Sequence, residues 1–239
     1  TKLGGEASFQ YIVKGIKLAL DGEVNAVTTG PIHKKAINLA GHKYSGHTEI
    51  FADYTNTKDY CMMLVDKDFR VSHVTTHVAF RQVPDLVTKA RVLKVIQLTN
   101  EALAQMGVEK SHIAVAGLNP HAGEDGLFGR EEIEQIGPAI QEAIISGIQV
   151  EGPIPPDTVF VKLRGGQYDA VVAMYHDQGH IPTKLVGFKY DDKAGKWGSV
   201  AGVNVTLGLP IIRTSVDHGV AFGKAGKGTA NPESMIDAI

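Results

Sequence analysis

Apolar residues recur along this chain in two alternating rhythms. In "SFQYIVKGIKLALDG" they fall at helical spacing and a glycine closes the run, whereas "VNAVTTG" is a short apolar stretch of strand length. "PIHKKAINLAG" reads as a helix with Pro31 in its first turn and Gly41 past its end. "YCMMLVD" and "RVSHVTTHV" read as two short strands. From Pro84 to Gly107 the pattern predicts one long amphipathic helix, its stripe formed by Leu86, Ala90, Leu93, Leu103 and Met106. "HIAVAGLNPHAGE" is a strand running into a Gly/Pro loop, "REEIEQIGPAIQEAIISG" a helix, and "YDAVVAMYHDQGH" a strand with a polar end. "GVNVTLGLPIIRTSVDHG" supplies one or two more strands. Alternation of this kind predicts an α/β fold with a largely parallel sheet. Only "KYDDKAGKWGSVAG" lacks periodicity, and it reads as an exposed loop or hairpin excursion.

Composition narrows the class. The 239 residues suffice for one large or two modest domains, and 43% hydrophobic with 21% charged residues is ordinary for a globular protein. A formal net charge of -2 gives no support for a nucleic-acid or membrane-surface partner, and no apolar run reaches bilayer length. The single cysteine, Cys61, excludes an internal disulfide and fits a reducing, cytoplasmic setting. Its apolar surroundings point to a buried structural thiol. The chain begins at Thr1 and stops inside a helical pattern, which suggests a fragment of a longer protein.

Candidate chemistry gathers where strands end. In open α/β sheets ligands bind beyond the carboxyl ends of the strands, and three candidate strands run there into a histidine: His77, His121 and His176. Three imidazoles with one open position make a catalytic metal site if the strands are neighbours. Otherwise each is a loop residue satisfied by backbone hydrogen bonds. "YSGHTEIF" sets Ser45, Gly46, His47 and Thr48 before a run that reads as a helix, where free N–H groups favour a phosphate; capping by Ser45 or Thr48 is the alternative. Lys184 and Arg213 are cations on otherwise apolar segments and need an anionic partner. The glycines of "DHGVAFGKAGKGTANP" permit close backbone approach to a cofactor, without the order of a dinucleotide fingerprint.

Taken together, "TGPIHK", "GHTE", "TTHV", "GLNPHAGE", "PPDTVF", "MYHDQG" and "GVNVTLGLPIIRTSVDHG" resemble the 4-hydroxythreonine-4-phosphate dehydrogenase (PdxA) family, in its order, over most of the chain. The resemblance implies an isocitrate/isopropylmalate dehydrogenase-like fold with two α/β/α domains around a cleft. Residues 31–200 would form a central metal- and substrate-binding domain, with 1–30 and 201–239 parts of a cofactor-binding domain whose N-terminal portion is absent. It implies NAD-dependent oxidation of a phosphorylated hydroxy acid followed by loss of CO2, in a homodimer that shares its active site.

By the same resemblance His77, His121 and His176 hold one divalent ion, with zinc, cobalt, nickel, magnesium and manganese all open. His47, Thr48, Lys184, Asn204 and Arg213 contact substrate. Lys184, Asp157 or Asp177 delivers the proton, and the sequence does not choose among them. His218, Gly219 and Asn231 belong to the cofactor loop. Gly223 stands where related dehydrogenases carry an acidic residue, and Lys224 follows it, so NADP stays open beside NAD. "DQGHIPTK" and "AGHKYSGHTEI" look closer to the branch acting on threonate or erythronate 4-phosphate than to the vitamin B6 branch. The excursion after Lys184 looks longer than in typical members. A non-catalytic metabolite-binding protein and a non-redox metal-dependent lyase are the competing readings.

Overall fold

A computed structural model of the chain describes residues 1–192, 196–200 and 202–239. Helix α1 (Lys2–Leu20) starts at Thr1, whose hydroxyl accepts the Gly4 N–H at 3.1 Å, and buries Gly5, Phe9, Ile12 and Ile16 at helical spacing. A methyl group on Gly5 would stand 2.0 Å from the Ala36 carbonyl oxygen, so only glycine lets α1 lie this close to the next helix. Strand β1 (Ala26–Thr29) leads to α2 (Lys34–Ala40) and α3 (His47–Tyr54). His33 caps α2 and Gly41, at φ 108°, ends it, so Pro31 lies before the cap rather than in the first turn. Phe9, Ile12, Ile16, Ile37, Ile50 and Phe51 form one core under these helices.

The chain then builds a second sheet region. Strands β2 (Cys61–Asp66) and β3 (Phe69–His73) form an antiparallel pair. A short helix α4 (Val83–Leu86) precedes α5 (Lys89–Gln105). The single long helix expected from Pro84 to Gly107 is therefore two, because Val87 leaves helical geometry and the Thr88 hydroxyl caps α5 by accepting the Arg91 N–H. The buried face is Val92, Val95, Ile96, Leu98, Thr99, Ala102 and Leu103. Of the expected stripe only Leu103 lies on it, while Leu86 and Met106 are exposed.

After β4 (Ile113–Ala116) come a π-helical turn at Glu132–Ile136, α6 (Gly137–Ile145) and β5 (Val150–Ile154), a strand the hydrophobic pattern did not reveal. Helix α7 (Pro156–Arg164), β6 (Ala170–Ala173) and α8 (His176–Gly187) follow. β3, β6, β4 and β5 are adjacent in that order and parallel, and all four residues of β4 and of β6 are buried, as a covered parallel sheet requires.

The excursion is a hairpin: β7 (Phe188–Asp191) pairs with β8 (Lys196–Val200), and residues 193–195 and 201 of that stretch lie outside the described residues. Strands β9 (Val203–Leu207) and β10 (Ile212–Val216) and a short α9 (Glu233–Ala238) complete the chain. β10 runs between β1, to which it is parallel, and β9, to which it is antiparallel.

By their internal contacts the residues divide into two units. One is continuous, Cys61–Lys189; the other is discontinuous, joining Thr1–Tyr60 with Tyr190–Ile239. Cys61 is buried, and desolvation pushes its thiol up to about 12, which makes it the inert structural residue expected. Among the described residues no helix is long and apolar enough to cross a membrane.

Candidate active site

In the continuous unit the parallel neighbours β3, β6 and β4 deliver their carboxyl ends to the same side, each followed by a histidine-bearing turn. His77, after β3, and His176, at the start of α8 after β6, have ring centroids 5.6 Å apart. His176 Nδ1 lies 2.7 Å from Asp177 Oδ1. A proton on Nδ1, donated to that carboxylate, fixes the tautomer and turns the Nε2 lone pair outward, the arrangement that serves metal-ligating histidines. These two imidazoles, with a carboxylate behind one of them, fit a divalent cation by chemistry.

Two further histidines, which the strand-end reasoning did not single out, stand behind this pair. His180, one helical turn along α8, stacks on His176 at 3.6 Å and bonds the His176 carbonyl from Nδ1 at 2.9 Å. His73, the fully buried last residue of β3, lies 4.8 Å from His180. Burial first, and then the neighbouring imidazoles, hold His73 down to about 3 and His180 to about 4, so both are neutral near pH 7. His73 Nε2 has no hydrogen-bond partner and faces Gly179, where a methyl group would meet it at 2.3 Å.

His121 is presented differently. Beyond β4 the segment Pro120–Gly126 makes a turn in which His121, Ala122, Gly123, Glu124 and Asp125 all have positive φ, between 43° and 85°. Left-handed backbone costs about 1–2 kcal/mol for each residue that carries a Cβ, so neighbouring groups must hold this turn. The His121 ring packs 6.1 Å from that of Phe128. Together with Asn119, Asp157 and Tyr175 it lines a cavity of about 540 Å³ whose remaining walls, including Phe80, Val83 and Leu118, are apolar. Asp157 sits in the first turn of α7. Tyr175, immediately before His176, carries the cavity wall to the α8 turn. Among the described residues no three histidine, cysteine or acidic side chains of one chain are grouped to hold a metal. The structure thus brings His77 and His176 together and seats His121 with Asp157. Lys184 lies farther along α8, its Nζ 5.2 Å from the centre of the Phe188 ring.

The discontinuous unit carries a cationic pocket. Arg213, on β10 and 3% exposed, donates from Nη1 to the Thr206 hydroxyl at 3.0 Å and from Nη2 to the Thr29 hydroxyl at 2.9 Å. Its Nε has no hydrogen-bond partner, and its guanidinium carbon lies 5.5 Å from the centre of the Phe51 ring. Burial lowers Arg213 to about 10 against the opposing pull of Glu49, which leaves it charged at neutral pH. His47 opens α3, whose N-cap Gly46 supplies no side-chain bond, so neither Ser45 nor Thr48 caps this helix. Burial, then Arg213, then Lys34 hold the His47 imidazole down to about 3. Lys34 was not anticipated. Its Nζ comes within 4.0 Å of where a Cβ on Gly46 would sit, close to the uncapped turn that contains Thr48. Asn204 Oδ1, on β9, and Glu49 Oε2 are both buried without a hydrogen-bond partner. A buried cation, a neutral imidazole, a lysine and a helix start without a side-chain cap are gathered here, with the Glu49 carboxylate among them.

The glycine loop is open. His218 Nδ1 bonds the Gly219 carbonyl at 3.0 Å, and Asn231 Oδ1 accepts the Glu233 N–H at 2.8 Å at the start of α9. Among the described residues a Cβ at Gly219 or Gly223 would meet nothing within 4 Å, so the backbone is open there. Lys224 Nζ bonds the Thr229 carbonyl at 3.3 Å.

An α/β chain with parallel strand ends carrying imidazoles, a buried arginine and an open glycine loop has the architecture of a dehydrogenase. The fold is shared with isocitrate dehydrogenase from Methylococcus capsulatus, 17% identical with a TM-score of 0.52, which covers 88% of this chain and 64% of that one. The profile of the family described as pyridoxal phosphate biosynthetic protein PdxA matches residues 1–239, and the chain belongs to that family. It is 50% identical over 235 residues to D-threonate 4-phosphate dehydrogenase of Pectobacterium atrosepticum, covering 98% of this chain and 69% of that protein. It superposes on the crystal structure of 4-hydroxythreonine-4-phosphate dehydrogenase from Klebsiella pneumoniae with a TM-score of 0.86 and 47% identity, covering 100% of this chain and 69% of that one. Like these relatives it is an oxidoreductase.

Proposed function

We propose that the protein oxidises the secondary alcohol of a 4-phosphorylated 3-hydroxy acid and releases CO2, with D-threonate 4-phosphate as first substrate and 4-phosphohydroxy-L-threonine as second. The alcohol carbon gives a hydride to NAD or NADP and its hydroxyl gives a proton. The β-keto acid then loses CO2 and takes up a proton, leaving dihydroxyacetone phosphate from the first substrate and 3-amino-2-oxopropyl phosphate from the second. The observation that carries this reading is Arg213, a buried cation whose hydrogen bonds among the described residues go to two hydroxyls, beside the uncapped start of α3. Such a cation favours a doubly charged group, and the relatives' names supply its identity as a 4-phosphate.

In this reading Arg213, Lys34, His47, Thr48 and Asn204 bind and orient the phosphorylated substrate, which fixes the reacting carbon. His77 and His176 are cation ligands, and His121 of a second copy completes the set in a homodimer. The cation supplies Lewis acidity for the alcohol and for the developing enolate. Asp177, already bonded to His176, orients that ligand, so Asp157 and Lys184 are the proton carriers. His218, Gly219 and Asn231 border the cofactor loop, and Lys224 keeps NADP acceptable. No feature of the chain argues for a nucleic-acid or membrane partner, and the cytoplasm is the compartment its single thiol suits.

The test is a panel of 4-phosphorylated hydroxy acids, each with NAD and NADP, against their unphosphorylated forms. The expected outcome is NADH or NADPH absorbance with the phosphorylated acids only. Thermal stabilisation by a phosphorylated acid without turnover would instead identify a binding protein, and product without reduced cofactor a lyase.

A further inference from the structure

The turn that carries His121 needs a support, and Glu132 is placed to be it. Glu132 is 4% exposed at the first residue of the π-helical turn. Its Oε1 accepts the Leu118 N–H at 2.8 Å and the Asn119 N–H at 2.7 Å, and its Oε2 accepts from Asn119 Nδ2 at 2.9 Å. The carboxylate also fills the space above two glycines: a Cβ on Gly123 would meet Oε2 at 2.8 Å, and one on Gly117 would meet Oε1 at 3.2 Å. It therefore grips the chain on both sides of His121, at residues 117–119 and at the centre of the left-handed turn. A second tie runs to the His176 side. Gln178, 8% exposed, donates from Nε2 to the Gly117 carbonyl at 2.8 Å and accepts the Met174 N–H on Oε1 at 2.6 Å. The ends of β4 and β6 are thus fixed to each other through one side chain, and the β4 end is fixed to the π-helical turn through another.

We infer that Glu132 is a positioning residue: a buried carboxylate clamp that holds the left-handed turn and so sets His121 and Asn119 in the cavity. This rests on the ligand role proposed above for His121. Glu132 is buried against the chain and acts through the backbone of residues 118 and 119. The π-helical turn belongs to the same device, since one extra residue in that helical turn is a common means of aiming a side chain at a functional site.

Glu132→Gln tests it, because the amide keeps the volume and one acceptor oxygen but turns an N–H2 group toward the Asn119 amide. The readouts are Co2+ affinity by calorimetry, the visible absorption of bound Co2+, and the melting temperature in metal-free buffer. The expected result is affinity lowered about 10-fold or more, within the range seen when groups behind a ligand are removed, with a changed Co2+ spectrum and metal-free melting within a few degrees of wild type. Wild-type affinity and spectrum in E132Q would overturn the inference. If E132Q does not fold, Asn119→Ala carries the test beside Glu131→Ala. The first removes the Glu132 Oε2 contact together with the Asn119 Nδ2 bond to Glu131 Oε2 at 2.7 Å, and the second removes only the latter. A site weakened more by N119A than by E131A supports the clamp, and equal weakening or an unchanged N119A site overturns it. His121→Ala is the control. Should it bind Co2+ as wild type does, the ligand assignment fails, a result distinct from failure of the clamp.

Discussion

Arg213 and His176 are both candidate ligand-binding groups, but they are held in different ways. Arg213 projects from β10, which is flanked by β1 and β9, and its two hydroxyl partners are strand residues. His77, His121 and His176 all stand beyond strand ends, and only two of the three meet within one chain. Charge accounts for the difference. A desolvated guanidinium stays ionised at neutral pH and needs polar partners around it, which the Thr29 and Thr206 hydroxyls supply. An imidazole at a strand end carries no such buried charge, and its set can be completed by a cation or by a second subunit.

The sharpest way to break this comparison is complementation between subunits. His121→Ala and His176→Ala are each expected to lose about 10³-fold or more in activity, because each deletes a ligand to the proposed cation. If His121 serves the partner's His77 and His176, mixed dimers of the two inactive variants contain one site with all its ligands. Co-refolding equal amounts should then restore about a quarter of wild-type activity. A mixture as inactive as its components would show that the histidines are not divided between subunits.

Next in size is Arg213→Met. The variant is expected to raise KM for the phosphorylated acid about 100-fold, since a charge-assisted contact to phosphate is lost. Its melting temperature should fall, because the Thr29 and Thr206 hydroxyls lose their partner and the Glu49 carboxylate, whose Oε2 is buried, loses the cation that attracts it. An unchanged KM would remove the anion pocket from the mechanism.

The smallest effect separates the units by proton linkage. His47 and His73 are held near 3 when folded, against an ordinary value of 6.5. Between those values the unfolded chain binds protons that the folded chain does not, so stability is complete above about 6.5 and falls as pH drops below it. The slope is at most about 1.4 kcal/mol per pH unit for each such histidine. Urea midpoints of metal-free protein should decline from pH 6.5 to 5. His47→Leu and His73→Leu should each flatten the decline, one in each unit. A midpoint independent of pH over that range would contradict both.

The alternation of helix and strand and the strand-end positions of His77, His121 and His176 were legible in the sequence, because parallel buried strands leave an apolar run that stops abruptly where polar residues begin. The break at Val87–Thr88 was not, since one capping threonine interrupts a periodicity that continues on either side. Glu132 lay in a charged run, "REEIE", that reads as a solvated helix face, and its burial depends on backbone N–H groups more than ten residues away. Lys34 and Glu49 escaped for the same reason. Their significance comes from what α2 and α3 place beside Arg213, and spacing along the chain does not record that. His73 and His180 were hidden because a histidine inside a strand and one along a helix carry no local mark of being stacked.

The discontinuity of the first unit governs the order in which the chain can assemble during synthesis. β1 pairs with β10, and Thr28 meets Thr214, 186 positions further along the chain. At about 5–20 residues per second the ribosome leaves the first strand without its neighbour for roughly 10–40 s. Throughout that interval Cys61–Lys189, whose strands pair among themselves, can close its own core. Until then β1 lacks its neighbour and the Phe9, Ile12 and Ile16 core lacks the cover of Leu209 and Ile211, so nascent chains stalled before β10 offer an unpaired strand and an incompletely covered core to chaperones and to aggregation.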